Sequence, residues 1–215
     1  MTIRVYLIDD HTLVRTGMKM ILDGEYDIEI VGDADNGEEA LRQLRILQPD
    51  VVLCDLHLPG MSGLEITERI TRGEIDAKVI IVSVLEDGPM PKRLLEAGAS
   101  GYIGKAGDAR ALLRAVREVS RGRRYLGNNV AQHMALANVD GSASPFDDLS
   151  QREVEVAMLL IQGLRQEEIA KRLSLSAKTV NTHKSRLFRK IGIQDSISLA
   201  RLATQYGLLD PARPV

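Results

Sequence analysis

Three carboxylates stand out by where they fall. Asp9 and Asp10 close the apolar run Ile3–Ile8, and Asp55 closes the run Val51–Cys54. If two such runs lie side by side as parallel strands, the three acids crowd one sheet edge. Like charges that close raise each other's pKa unless a cation intervenes. A hard divalent ion satisfies them, and a few carboxylates plus waters suit Mg²⁺ better than a protein-lined calcium cage. Strand-end acids also cap helices, a role that explains one Asp easily and three poorly. Ser83 follows the apolar run Lys78–Val82 and brings a hydroxyl; Lys105 follows Gly101–Ile103 and brings an ammonium. Carboxylates, a metal, a hydroxyl and an ammonium at one edge make a site for a phosphoryl group. A carboxylate can itself be the nucleophile, giving an aspartyl phosphate.

The elements that must position these groups are legible in the same stretch. Strands are expected at Ile3–Ile8, Ile28–Asp33, Val51–Cys54, Lys78–Val82 and Gly101–Ile103. Helical patterns lie between them at Thr12–Leu22, Asn36–Leu47, Gly63–Arg72 and Lys92–Ala97, and Asp108–Arg121 follows. Near-continuous Val/Ile/Leu strands separated by helices predict an α/β fold with a doubly wound, five-stranded parallel sheet of flavodoxin-like order 2-1-3-4-5. In that order the first and third strands are neighbours at the topological switch point, so their acids converge. Pro89 and Pro91 should shorten or delay the fourth helix. Ser62–Glu65 reads as a capping box, and Asp108 is placed to cap the last helix.

A length of 215 residues suits two domains. The expected boundaries are 1–124 for the sheet domain and 125–145 for a linker with a possible helix at Asn129–Ala137. The remainder, 146–215, reads as a small all-α domain. Its helices are expected at Gln151–Gln162, Gln166–Leu173, Ala177–Ile191 and Asp195–Tyr206, opened by a second capping box, Ser150–Glu153. The net charge of -2 divides unevenly. Residues 1–145 hold 17 Lys/Arg against 22 Asp/Glu, and residues 146–215 hold 11 against 8. Between Arg165 and Lys190 there are eight basic residues and two acidic ones, the footprint of a phosphate-backbone binder. A single Cys excludes a disulfide framework and fits a reducing cytoplasm. Apolar runs stay short of the roughly 18 residues of a membrane span, and MTIRVYLIDDH turns acidic where a secretory signal would stay apolar. The expected setting is cytoplasmic, with no membrane partner.

LIDDH (Leu7–His11), DLHLPGMSG (Asp55–Gly63), Ser83 and GYIGK (Gly101–Lys105) together resemble the receiver domain of bacterial two-component response regulators, over about residues 3–122. The resemblance implies that Asp55 accepts a phosphoryl group from a sensor kinase histidine. It implies that Asp9, Asp10, Asp55 and the backbone carbonyl of His57 hold Mg²⁺, and that Lys105 pairs with the phosphoryl group. Ser83 would hydrogen-bond that group in the active state. Tyr102, at the rotameric switch position, would turn inward as Ser83 moves. Ala106 stands where many receivers carry Pro.

In the tail, Val180, Leu187 and Ile191 mark a buried helical stripe. Lys178, Asn181, Thr182 and Ser185 form one polar face rich in donors and acceptors, as base readout in a major groove requires. Lys184, Arg186, Arg189 and Lys190 flank it within reach of phosphates. With Ser176 as cap and the turn SLS joining it to EEIAKRL, this is a helix-turn-helix. The segments LSQREVEVAMLLIQG, EEIAKRLSLSAKTVNTHKSRLFRKI and Ser196–Gln205 resemble the LuxR/NarL/FixJ-type DNA-binding domain. By position, that resemblance makes Asn181, Thr182 and Ser185 base-facing, with Lys178, Thr179 and Lys184 near them. It places His183 and Arg186 on the DNA backbone and the last helix in a homodimer contact on double-stranded promoter DNA. VSVLEDGPMPKRLLEAGASGY, SPFDDLS and KTVNTHKSRLF look like GacA/UvrY-type global activators, which implies a hybrid sensor kinase.

The leading expectation is thus a phosphorylation-controlled transcription regulator, not an enzyme beyond slow self-dephosphorylation. Two other readings of the sheet domain are weaker. A flavin binder needs a phosphate-cradling Gly-rich loop after the first strand, where LIDDHT has two acids and no Gly. An Asp-nucleophile phosphatase gives the helical tail no role. A third reading, a DNA binder with a constitutively dimerising receiver, stays open at the level of sequence.

Overall fold

The computed structural model describes residues 2–73, 75–140, 144–173 and 175–206, with the side chains of 137–140 and 151 left out. The chain divides into two compact units. The first is built on a parallel sheet of order β2-β1-β3-β4-β5-β6. Its strands are β1 Ile3–Ile8, β2 Ile28–Ala34, β3 Val51–Asp55, β4 Lys78–Ser83, β5 Gly101–Gly104 and β6 Tyr125–Leu126. The helices are α1 Thr12–Asp23, α2 Gly37–Leu47, α3 Gly63–Arg72, α4 Met90–Glu96, α5 Ala109–Ser120 and α6 Asn128–Asp140, the last belonging to this unit as far as Ala135.

Both faces of the sheet are covered, which is why its strands carry unbroken apolar runs. Val5, Leu7, Val51, Leu53, Ile80 and Val82 share one core with Met18 and Leu22 of α1 and with Leu112, Ala115, Val116 and Val119 of α5. The alternate residues Tyr6, Ile8, Val52, Cys54 and Ile81 are equally buried on the opposite side. Burial fixes the register here, because a one-residue slip would exchange the two faces. In this register Cys54 lies across from Ile8 and Asp55 across from Val82, and Ser83 lies across from Gly104. The strand ends bearing the acids and the hydroxyl therefore lie at one edge.

Two expectations are corrected here. The sheet has six strands, not five. β6 is two residues long, too short to show an alternating pattern, and follows the polar run Arg121–Arg124. It forms because the outer edge of β5 is open: the Tyr125 N–H donates to the Ser100 carbonyl (3.0 Å) and the Gly127 N–H to the Tyr102 carbonyl (2.8 Å). The fourth helix is short, as its prolines require, but begins at Met90 and not at Lys92. Pro91 sits in its first turn, where a missing N–H costs no helical hydrogen bond.

The second unit contains α7 Gln151–Ile161, α8 Gln166–Arg172, α9 Ala177–Ile191 and α10 Ser196–Gln205. Val156, Leu159, Ile169, Ala170 and Val180 form its core. Both halves of the capping box at Ser150 and Glu153 are made. Gly192 closes α9 in the left-handed conformation at φ 71°, which favours glycine. Phe146 is fully buried and meets Tyr206 edge-on, with ring centroids 6.2 Å apart. Among the described residues, no helix is long and apolar enough to cross a membrane. Gly141–Ala143 of the expected linker, Ser174 of the expected turn and residues 207–215 lie outside the described residues.

Candidate functional site

Asp9, Asp10, His11 and Asp55 each offer a ligand atom, all within 4.8 Å of one another. Asp9 is fully buried and Asp55 nearly so. Lys105, leaving β5 at the same edge, places its Nζ 2.8 Å from Asp9 Oδ2 and 3.0 Å from Asp55 Oδ2. The Lys105 ammonium meets two buried carboxylates, while the partly exposed Asp10 lies 3.1 Å from His11 Nδ1; an acidic excess remains, which a hard divalent cation would offset. Burial pushes the Asp55 carboxyl up to about 6. The Lys105 ammonium opposes that rise, the Asp9 carboxylate adds to it, and the His57 N–H opposes it again by a hydrogen bond. The site is oxygen-rich, partly neutralised and short of positive charge.

Local structure holds these groups in place. The Asp9 carboxylate accepts from the His11 N–H (2.8 Å), shaping the turn into α1. Arg15, one turn into α1, donates to the Asp9 carbonyl (2.5 Å) and to Asp33 Oδ2 (2.7 Å), tying the ends of β1 and β2 together. Gly63 opens α3 against the backbone that carries Asp55. A Cβ there would stand 2.4 Å from the Asp55 carbonyl oxygen, so only glycine allows the approach. His11, Arg15 and Asp33 were not singled out by sequence reasoning. The signal available was that Arg15 lies four residues beyond His11, one turn along the same helix face.

Ser83 is buried, and its Oγ accepts from the Leu85 N–H (3.1 Å). Tyr102 is fully buried, with its hydroxyl donating to the Leu85 carbonyl (2.5 Å). Its ring lies inward, the side to which the resemblance has it turn. Cys54 is buried, with its thiol pushed well up, chiefly by burial and then by Asp55 and Asp9. This fits a core residue and not a redox switch.

In the second unit, Gln166 Nε2 donates to the Ala177 carbonyl (2.6 Å) and joins the starts of α8 and α9. Ser176 caps α9 by accepting from the Thr179 N–H (3.0 Å). Lys178, Asn181, Thr182, Ser185 and Arg186 are exposed, and Val180, Leu187 and Ile191 are buried beneath them. Side chains of the expected interface are engaged locally: the Thr182 hydroxyl donates to the Lys178 carbonyl (3.0 Å). The Thr179 hydroxyl is paired with Ser176 Oγ (2.8 Å). Lys184 lies 5.3 Å from the centre of the Phe188 ring. His183 is half-buried, its Nδ1 without a hydrogen-bond partner among the described residues. Lys190, expected within reach of phosphates, also makes a contact inside the unit. Its Nζ lies 2.7 Å from Glu153 Oε2 and donates to the Asp148 carbonyl (3.0 Å). Burial works to raise the Glu153 carboxyl, but Lys190 and the Ser150 N–H outweigh it and hold it below the usual range.

Comparison with known proteins places both units. Residues 5–117 match the response regulator receiver domain, and residues 147–203 match the bacterial regulatory proteins of the luxR family. The response regulator GacA of Pseudomonas viridiflava is 43% identical over 210 residues, covering 97% of this chain and 98% of that protein. The response regulator UvrY of Escherichia coli K12 is 39% identical over 208 residues, covering 96% and 95%. Among solved structures, RcsB of Salmonella enterica serovar Typhimurium, bound to a promoter in the presence of beryllofluoride, covers 95% of this chain and all of that one. Its TM-score is 0.78 at 23% identity, a likeness of fold. A sheet with an acidic switch-point pocket, followed by a helix-turn-helix, defines the class as response regulators. The chain belongs to the two-component response regulators of the NarL/FixJ type, a receiver joined to a LuxR-type DNA-binding domain.

Proposed function

We propose that Asp55 accepts a phosphoryl group from the histidine of a sensor kinase, and that this modification controls promoter binding by the helix-turn-helix. The observation that carries the reading is the buried Asp9–Asp55 pair bridged by Lys105 at one sheet edge. Asp9, Asp10, Asp55 and the His57 carbonyl would hold Mg²⁺. When bound, the ion neutralises charge on the acidic oxygens and on the phosphoryl group. Lys105 pairs with the phosphoryl oxygens, and Ser83 donates to one of them once its side chain turns. Ser83 and Tyr102 form the switch, linked through Leu85. Turnover at the pocket is limited to slow self-dephosphorylation.

The proposed division is a receiver over 1–124, a linker over 125–145 and a DNA-binding domain over 146–215. Asn181, Thr182 and Ser185 face bases, with Lys178, Thr179 and Lys184 beside them and His183 and Arg186 on the backbone. The GacA and UvrY likeness supports a hybrid sensor kinase, and the DNA-bound RcsB fold supports a homodimer on DNA joined through α10. The test is labelling by acetyl phosphate with Mg²⁺ in wild type and Asp55→Asn. Labelling at one equivalent is expected only in the wild type, and persistent labelling of the variant would overturn the assignment.

A further inference from the structure

The loop after β4 is held by the switch residues on one side and by helix α6 on the other. Leu85 is buried; its N–H donates to Ser83 Oγ and its carbonyl accepts from the Tyr102 hydroxyl. The next residue reaches elsewhere. Glu86 Oε2 accepts from Asn129 Nδ2 at 2.6 Å, and the Glu86 carbonyl oxygen lies 3.2 Å from His133 Nδ1. Asn129 and His133 are four residues apart and so share one face of α6. Glu86 can lie there because Gly104 has no side chain: a Cβ at Gly104 would stand 1.5 Å from Glu86 Oε1. Beneath the first turn of α6 is a cavity of about 370 Å³, lined in part by Val14, Met18, Ile103, Leu112 and Val130.

We propose that Glu86 is a positioning residue that latches α6 to the switch loop and so passes the state of the Asp55 pocket to the segment leading into the helical tail. The proposal rests on the reading of Asp55 as phosphoacceptor. Ser83 Oγ has two competing uses. Rotation of its side chain toward a phosphoryl group withdraws the acceptor from the Leu85 N–H. A buried N–H without a partner is unfavourable, so the Val84–Glu86 backbone must rearrange. Glu86 moves with it and gives up its hold on Asn129 and His133. The signal thus travels through one polar chain, from Ser83 through Leu85 and Glu86 to α6.

Hydrogen exchange at amides 129–135 of the full-length chain tests this, at rest and with beryllofluoride plus Mg²⁺. At rest, Glu86→Ala and Asn129→Ala should exchange roughly tenfold faster than the wild type, as expected for a locally released helix. Glu86→Gln, whose amide oxygen still accepts from Asn129, should stay near the wild-type rate. Beryllofluoride should accelerate the wild type toward the Glu86→Ala rate and leave Glu86→Ala unchanged. Labelling of Asp55 by acetyl phosphate should be equal in all four proteins. Equal resting rates in the wild type, Glu86→Ala and Asn129→Ala would overturn the latch. So would labelling at Asp55 with no acceleration of the wild type. Failure of the wild type to take label would instead overturn the pocket reading.

Discussion

Asp55 is held in a place that disfavours its own charge, and this has a consequence for stability. A carboxyl whose pKa rises on folding, here to about 6, keeps its proton in the folded chain after the unfolded chain has lost it. Stability therefore falls as pH climbs from about 4 to about 6 and stays lower above that, by roughly 2–3 kcal/mol in metal-free buffer. Asp55→Asn should raise the thermal midpoint at pH 7.5 without Mg²⁺ by several degrees and flatten this part of the pH profile. A variant less stable than the wild type would show that Asp55 is not under electrostatic strain. Mg²⁺ should stabilise the wild type far more than the variant. Gly63→Ala puts a Cβ against the Asp55 carbonyl, so it should lower both stability and the rate of labelling by acetyl phosphate. Unchanged labelling in Gly63→Ala would mean that the strand end tolerates the displacement.

At the scale of elements, α9 separates its duties by face. Its buried stripe fixes it to the small core, which frees the opposite face for contact. Asn181→Ala should weaken specific binding by about 1–3 kcal/mol and leave non-specific binding nearly unchanged. Lys184→Ala and Arg186→Ala should make the salt dependence of binding shallower instead. Lys190 behaves otherwise, because it neutralises the buried Glu153 carboxylate. Lys190→Ala should cost about 1–3 kcal/mol of stability in the second unit, the usual result of leaving a buried charged group without its partner, and leave the salt slope as it was. Chemical denaturation and a salt titration on duplex DNA distinguish these outcomes, and a reduced slope for Lys190→Ala would return it to the phosphate contacts.

For the whole molecule the property to measure is coupling between an acidic receiver and a basic DNA-binding unit. Beryllofluoride with Mg²⁺ should tighten binding to duplex DNA in the wild type and not in Asp55→Asn. Sizing the same samples separates release of the DNA-binding unit from dimerisation. Tight binding indifferent to beryllofluoride would make the receiver a constitutive module, the third reading the sequence allowed.

Much of this protein follows from the order of its residues. Apolar runs spaced by amphipathic stretches determine a doubly wound sheet, and that topology alone brings Asp9, Asp10 and Asp55 to one edge. The spacing of Val180, Leu187 and Ile191 likewise determines which face of α9 remains free. Contacts between residues distant in sequence were decided only by the folded chain. β6 exists because β5 has an open edge, which no two-residue signal announces. Lys190 pairs with Glu153 because helix packing brings together residues 37 apart. Glu86 reaches Asn129 across 43 residues through a gap left by a third, Gly104. Periodicity records which face of an element is buried; it carries no record of which side chain on another element fills a given polar contact.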